Sequence, residues 1–278
     1  MSHRQMVNYD ERHTDFERWF QTPLGRALLA DQRACVDHHI RSLQGARQLH
    51  VGVSHRLPLA SCSDFSQRII TTPRWHSHMP EGVVVCDSDE LPFSNDTMDL
   101  VILHHSADFS AFPHQVLREA ARVTRSGGQI LIIGFNPISL WGVRKKLFRQ
   151  ASGAWGGRFL LRSRMEDWLN LLDFRTEKAR SYFYRLPIQN VRLIEKLAIV
   201  DRLGGSRFLP VGAYYCILAT KQVWAPIGKR PLWRRKNVIP LPTAGTLGVS
   251  RGYRRINGEH DNGSGHGRKC CDVYGRGL

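Results

Sequence analysis

Two hydrophobic periodicities alternate along the first 220 residues. Over 14–43, Phe16, Trp19, Phe20, Leu24, Ala27, Leu28 and Val36 return at three- and four-residue spacing among Arg and Asp, which predicts helix. The run Pro23-Leu-Gly25 interrupts it. Thr22 suits a cap and Pro23 a first helical position, so two helices are expected. Short apolar runs with β-branched residues follow at 48–53, 68–72 and 82–86, and each reads as a strand. The unbroken run Leu100-Val-Ile-Leu103 predicts a strand covered on both faces, as in parallel sheets. Helical spacing returns over 113–124, where Val116, Leu117, Ala120 and Val123 share a face behind Pro113. Ser126-Gly-Gly128 reads as a stop and turn before an apolar strand over 129–134. Helices over 138–150 and 164–172 and strands over 176–183 and 213–221 complete the pattern.

Strands alternating with helices at this spacing predict an α/β fold with a Rossmann-like, doubly wound, mostly parallel sheet. Three regions are expected: an N-terminal helical extension over 1–45, the α/β domain over 46–220, and a tail over 221–278. That tail lacks periodicity, is rich in Pro, Gly, Arg and Asn, and is expected to be disordered.

Charge changes the picture mainly in the tail. The chain carries a formal net charge of +16. Residues 221–278 hold 12 Lys and Arg against 3 Asp and Glu. Such a tail either serves solubility or gives weak, salt-sensitive attraction to nucleic acid or an acidic membrane surface. No apolar run reaches the ~18–20 residues of a membrane span, and residues 1–16 are too polar for a signal peptide, so a cytoplasmic location is expected. Six cysteines are scattered without a CxxC pair, and the reading is of plain thiols with no metal site.

In open α/β sheets, ligands bind beyond the carboxyl ends of the strands. The residues there are 52–55, 87–92, 104–108 and 135–139. Three stretches over this region stand in order. They are Asp87-Ser-Asp-Glu-Leu-Pro-Phe93, Asp96-Thr-Met-Asp-Leu-Val-Ile-Leu-His-His105, and Val116-Leu-Arg-Glu-Ala-Ala-Arg-Val-Thr-Arg-Ser-Gly-Gly128. Together they resemble the core of class I S-adenosylmethionine (SAM)-dependent methyltransferases of the small-molecule type. Trp19-Phe-Gln-Thr-Pro-Leu-Gly25 and Gly134-Phe-Asn-Pro-Ile-Ser-Leu-Trp-Gly142 further resemble a bacterial subgroup of that family. The resemblance implies the family's seven-stranded sheet, SAM as cofactor and a small-molecule methyl acceptor. It implies that Asp87 accepts a hydrogen bond from the adenine amino group, that the Ser88 amide addresses the ring, and that Leu91 packs on its face. Gly52 and His104, at the ends of the first and fourth strands, are expected beside the cofactor. His105 is the candidate general base and Asn136 the candidate for orienting the acceptor. The alternatives are a hydrogen-bonded structural His and an Asn-Pro turn.

The sequence departs from the family at two anchors. A loop with three glycines is expected after the first strand, and His50-Val-Gly-Val-Ser-His55 holds only Gly52. Val53 and Ser54 place a Cβ where backbone would approach the ligand. The acidic residue that would hold the ribose hydroxyls has no counterpart in Ile69-Ile-Thr-Thr-Pro73. Three readings remain open: an active methyltransferase, a methyltransferase-like binding protein that has lost SAM, and a methyltransferase drawn to nucleic acid by its tail. A nicotinamide dehydrogenase is set aside because no GxGxxG opens the first helix.

Overall fold

The computed structural model describes residues 9–60, 64–148, 152–189 and 212–223. Residues 224–278, nearly all of the basic tail, lie outside the described residues.

Helix α1 spans Tyr9–Trp19 and α2 spans Pro23–Ile40. The break falls where the sequence places it. The Thr22 hydroxyl accepts from the Gly25 amide at 3.2 Å, and Pro23 needs no donor at the first helical position. Gly25 is required by a close approach: a Cβ there would run into the Trp19 carbonyl and lie 2.7 Å from Phe20 Cα.

The strands are β1 (Arg47–Gly52), β2 (Gln67–Thr72), β3 (Val83–Val85), β4 (Met98–His104), β5 (Thr124–Phe135), β6 (Phe174–Tyr182) and β7 (Tyr214–Lys221). They form one seven-stranded sheet in the order β3-β2-β1-β4-β5-β7-β6. The first five strands are parallel, and β7 runs antiparallel to both β5 and β6. Strand order therefore reverses between β1 and β4, the place where such sheets open a crevice. Helices α3 (Ser106–Phe109), α4 (Pro113–Val123), α5 (Leu140–Phe148) and α6 (Arg162–Leu171) complete the fold, with a 3-10 turn at Gly153–Gly156.

Two apolar layers sandwich the sheet. One joins α1 and α2, through Phe16, Phe20, Leu24 and Leu28, to Leu100, Ile102, Trp141 and Trp155. The other joins α4 and α6, through Val116, Leu117, Met165 and Leu169, to Leu49, Val101 and Ile130. Each fully buried Leu or Phe contributes roughly 1.5–3 kcal/mol. The helices of the first 45 residues thus supply one face of the core, inside a compact unit spanning Met1–Pro226.

One boundary differs from the pattern. Ser126-Gly-Gly128 does not end in a turn before the strand; β5 begins at Thr124 and runs through it. The irregularity is absorbed as a register shift opposite Met98 and Leu100. Gly127 takes a φ of +75° there. A Cβ on Gly128 would stand 2.9 Å from the Arg125 carbonyl.

Candidate functional site

The family-like segment owes much of its pattern to scaffolding. The Asp99 carboxylate accepts from the Ala46 and Arg47 amides at 2.8 and 2.7 Å and fixes the start of β1 against β4. Glu119 and Arg122, one turn apart on α4, hold the loop after β3. Glu119 accepts from the Leu91 amide at 3.0 Å, and Arg122 donates to the carbonyls of Leu91 and Phe93 at 2.8 and 2.7 Å. That clamp positions Asp87 and Ser88 at the sheet edge.

A cavity of about 190 Å³ opens at this carboxyl edge. Gly52, Val53, Asp87, Ser88 and Asp89 line one side; His13, Ser106 and Phe109 are among those lining the rest. Gly52, Asp87 and Ser88 are thus brought together. A Cβ on Gly52 would meet His50 Nε2 at 3.5 Å, an ordinary contact. No close contact beneath demands glycine there. Of the two positions feared to obstruct it, Val53 lines the cavity. Ser54 is buried instead, its hydroxyl accepting from the Arg56 amide at 3.2 Å. Asp87 is exposed, and among the described residues its carboxylate makes no side-chain hydrogen bond. At the end of β2 the lining residue is Pro73, so that strand supplies no carboxylate to the cavity.

The other expected site residues lie elsewhere. Leu91 is buried in the layer under α4 and does not line the cavity, because the Glu119–Arg122 clamp draws it into the core. Asn136 closes a turn: its side-chain oxygen accepts from the Ile138 amide at 3.1 Å, and its own amide donates to the Ala213 carbonyl. His104 and His105 are buried in a relay, and neither lines the cavity. His104 Nε2 donates to Gln32 Oε1 at 3.1 Å, and Gln32 Nε2 donates to His105 Nε2 at 2.8 Å. His105 Nδ1 then donates to Asp108 Oδ2 at 2.7 Å, which also accepts from the Phe135 amide at 2.9 Å. Both ring nitrogens of His105 are engaged, and its side chain has no exposure. His105 also sits at φ 55°, a left-handed conformation that the relay holds in place.

What the sequence did not reveal is the contribution of the first helix. His13 lines the cavity and donates from Nε2 to the Phe109 carbonyl at 3.2 Å. Its helical spacing signals burial, but nothing local tells that α1 folds over the carboxyl edge.

The histidines beneath Gly52 carry a pH dependence. Burial lowers the pKa of His50 to about 4, and burial with the neighbouring His105 takes His104 well below the usual range. An unfolded histidine takes up its proton near 6.5, so the unfolded chain binds more protons at acid pH. Stability present above about pH 6.5 is therefore lost as the pH falls toward about 4, on the order of 3 kcal/mol from His50 alone. The urea midpoint is expected to fall between about pH 7.5 and 5, and the fall to be shallower in His50→Leu. Equal slopes in both proteins would mean that His50 is not the group responsible.

Comparison with known proteins bears on the family and the fold. A methyltransferase-domain family model matches residues 51–132. The uncharacterized protein YafS of Escherichia coli is 40% identical over 174 residues, covering 62% of this chain and 67% of its own length. A SAM-dependent methyltransferase from Thermotoga maritima superposes with a TM-score of 0.56 at 19% identity, over 78% of this chain and all of its own. The methyltransferase solved in complex with the Trm112 activator of Haloferax volcanii gives 0.54 at 13% identity, over 76% of this chain and 98% of the matched one. At such identities the two structures speak for the fold alone. No helix among the described residues is long and apolar enough to cross a membrane.

Proposed function

Because the chain belongs to the class I SAM-dependent methyltransferase family, we propose that it transfers a methyl group from SAM to a small-molecule acceptor at the carboxyl edge of its sheet. The observation that carries this reading is the convergence of Gly52, Asp87 and Ser88 on one cavity, with an Asp87 carboxylate that makes no side-chain hydrogen bond among the described residues. SAM supplies a methyl group already activated by its sulfonium charge, so the protein's task is alignment more than activation. In this reading Asp87 accepts from the adenine amino group and the Ser88 amide addresses the ring. Gly52 leaves backbone bare for the methionine portion. Asp89, on the same lining, takes the part of the carboxylate absent from β2. His13 and Phe109, from helices on the other side, confine the acceptor and exclude water. His105 and Asn136 are given structural parts, since both ring nitrogens of His105 and the side-chain oxygen of Asn136 are engaged inside the fold.

A second reading has one observation in its favour. Val53 narrows the cavity where the family has glycine, which is what a binding protein that has abandoned SAM would show. Isothermal titration with SAM, and with its demethylated product, separates the two. Micromolar binding is expected. No heat and no thermal shift at millimolar ligand would overturn the methyltransferase reading in favour of the second. The nucleic-acid reading rests on the tail, outside the described residues.

A further inference from the structure

None of the residues of a second cluster lines the cavity. Cys35 and His39 stand one turn apart on α2, so they share a face. Cys216, on β7, comes up beneath them. The three candidate ligand atoms lie within 4.8 Å of one another, with Cys35 Sγ 3.9 Å from His39 Nδ1. All three residues are buried. Their surroundings are aromatic: Tyr182 and Tyr214 stack at 5.7 Å, and the Tyr214 hydroxyl donates to Asp31 at 2.8 Å.

We propose that Cys35, His39 and Cys216 form a binding site for a thiophilic metal ion, with Zn²⁺ the ion whose charge and donor preference they fit. Sulfur and imidazole donors select zinc over the hard divalent cations. Charge points the same way. Two thiolates and a neutral imidazole cancel a divalent cation, leaving a neutral cluster that an apolar core tolerates. A tetrahedral zinc, with Zn–S about 2.3 Å and Zn–N about 2.0–2.1 Å, sets sulfur and nitrogen about 3.6 Å apart. The pair at 3.9 Å is a few tenths of an ångström from that. In the metal-free chain His39 Nδ1 donates to the Cys35 carbonyl at 2.8 Å. The ion takes the place of the two thiol protons, which leave to solvent, and of the Nδ1 proton, which the neutral ring then carries on Nε2. Three protein ligands leave a fourth position for water. Tyr182 touches Cys35 and is half-buried, so the cluster lies one side chain from solvent.

The site differs from the sequence expectation of six plain thiols, because Cys35 and Cys216 stand 181 positions apart and only the packing of α2 on β7 joins them. The test is titration with Co²⁺ of the full chain carrying Cys270→Ser and Cys271→Ser, kept reduced by a phosphine. A single equivalent is expected to raise thiolate-to-cobalt charge-transfer bands, which Zn²⁺ then displaces. Cys35→Ser and Cys216→Ser are expected to lose the bands. His39→Gln, which keeps a donor toward the Cys35 carbonyl, is expected to weaken binding at least tenfold. Zn²⁺ should raise the thermal midpoint of the parent and not of these variants. No bands at saturating Co²⁺, with both thiols shown to be reduced, would overturn the proposal. So would bands that persist in the serine variants. Should Cys216→Ser fail to fold, His39→Gln and Cys35→Ser carry the test alone.

Discussion

Asp87→Ala is expected to weaken SAM binding about ten- to a hundredfold while leaving the thermal midpoint unchanged. The size follows from the bond removed. A hydrogen bond to a charged group contributes about 1.5–3 kcal/mol, and about 1.4 kcal/mol is tenfold in affinity. The absence of a stability effect follows from the geometry: the carboxylate is exposed and, among the described residues, holds no side-chain bond that its removal would break. Asp87→Asn keeps an acceptor oxygen without the charge, so its loss should be smaller. Calorimetric titration beside thermal melts reads both quantities. A change below twofold in Asp87→Ala, with the parent binding normally, would remove Asp87 from the cofactor site and leave the rest of the reading standing.

The sheet was legible because parallel strands buried on both faces write themselves as unbroken apolar runs. Leu100-Val-Ile-Leu103 and Ile130-Leu-Ile-Ile133 are such runs, and both proved central strands. The helix break at Thr22 was legible for a local reason, since a cap and a proline act within one turn. The start of β5 was not. Glycines after a helix ordinarily end it in a turn, and only pairing across to β4 turns Ser126-Gly-Gly128 into bulged strand.

The site divides in the same way. Gly52 ends β1 and Asp87 and Ser88 stand two and three residues past β3, and residues at the end of a parallel strand are placed by the strand itself. Leu91, His104, His105 and Asn136 also stand near strand ends, but where their side chains point depends on distant partners. Glu119 and Arg122 draw the loop bearing Leu91 inward; Gln32, from α2, takes both histidines. Separations of 28 to 73 residues carry no signal in a local reading. The contribution of His13 is hidden for the same reason, since Phe109 is 96 positions away.

The relay that removes His105 from the cavity carries the largest expected effect on stability. Asp108 is buried, and its one bonded oxygen satisfies two donors, His105 Nδ1 and the Phe135 amide. Burial pushes its carboxyl upward, and the hydrogen bond from His105 draws it back down. Asp108→Ala leaves both donors unpaired in a dry interior, at about 1–3 kcal/mol for each unsatisfied buried group and so roughly 2–6 kcal/mol for the two. Asp108→Asn keeps an oxygen for the same two donors. Its amide replaces the oxygen that has no partner among the described residues of the parent, so its cost should be nearer 1–2 kcal/mol on the scale of one unsatisfied buried group. Urea unfolding at neutral pH measures both. The order Ala well below Asn is the signature of a shared acceptor; equal losses would mean that the charge, and not the oxygen's position, stabilises the turn. Phe109 and Ser110 follow Asp108 directly and line the cavity. Asp108→Asn is therefore also expected to lower SAM affinity, though no atom of Asp108 faces the ligand, because the relay fixes the wall on which the acceptor rests.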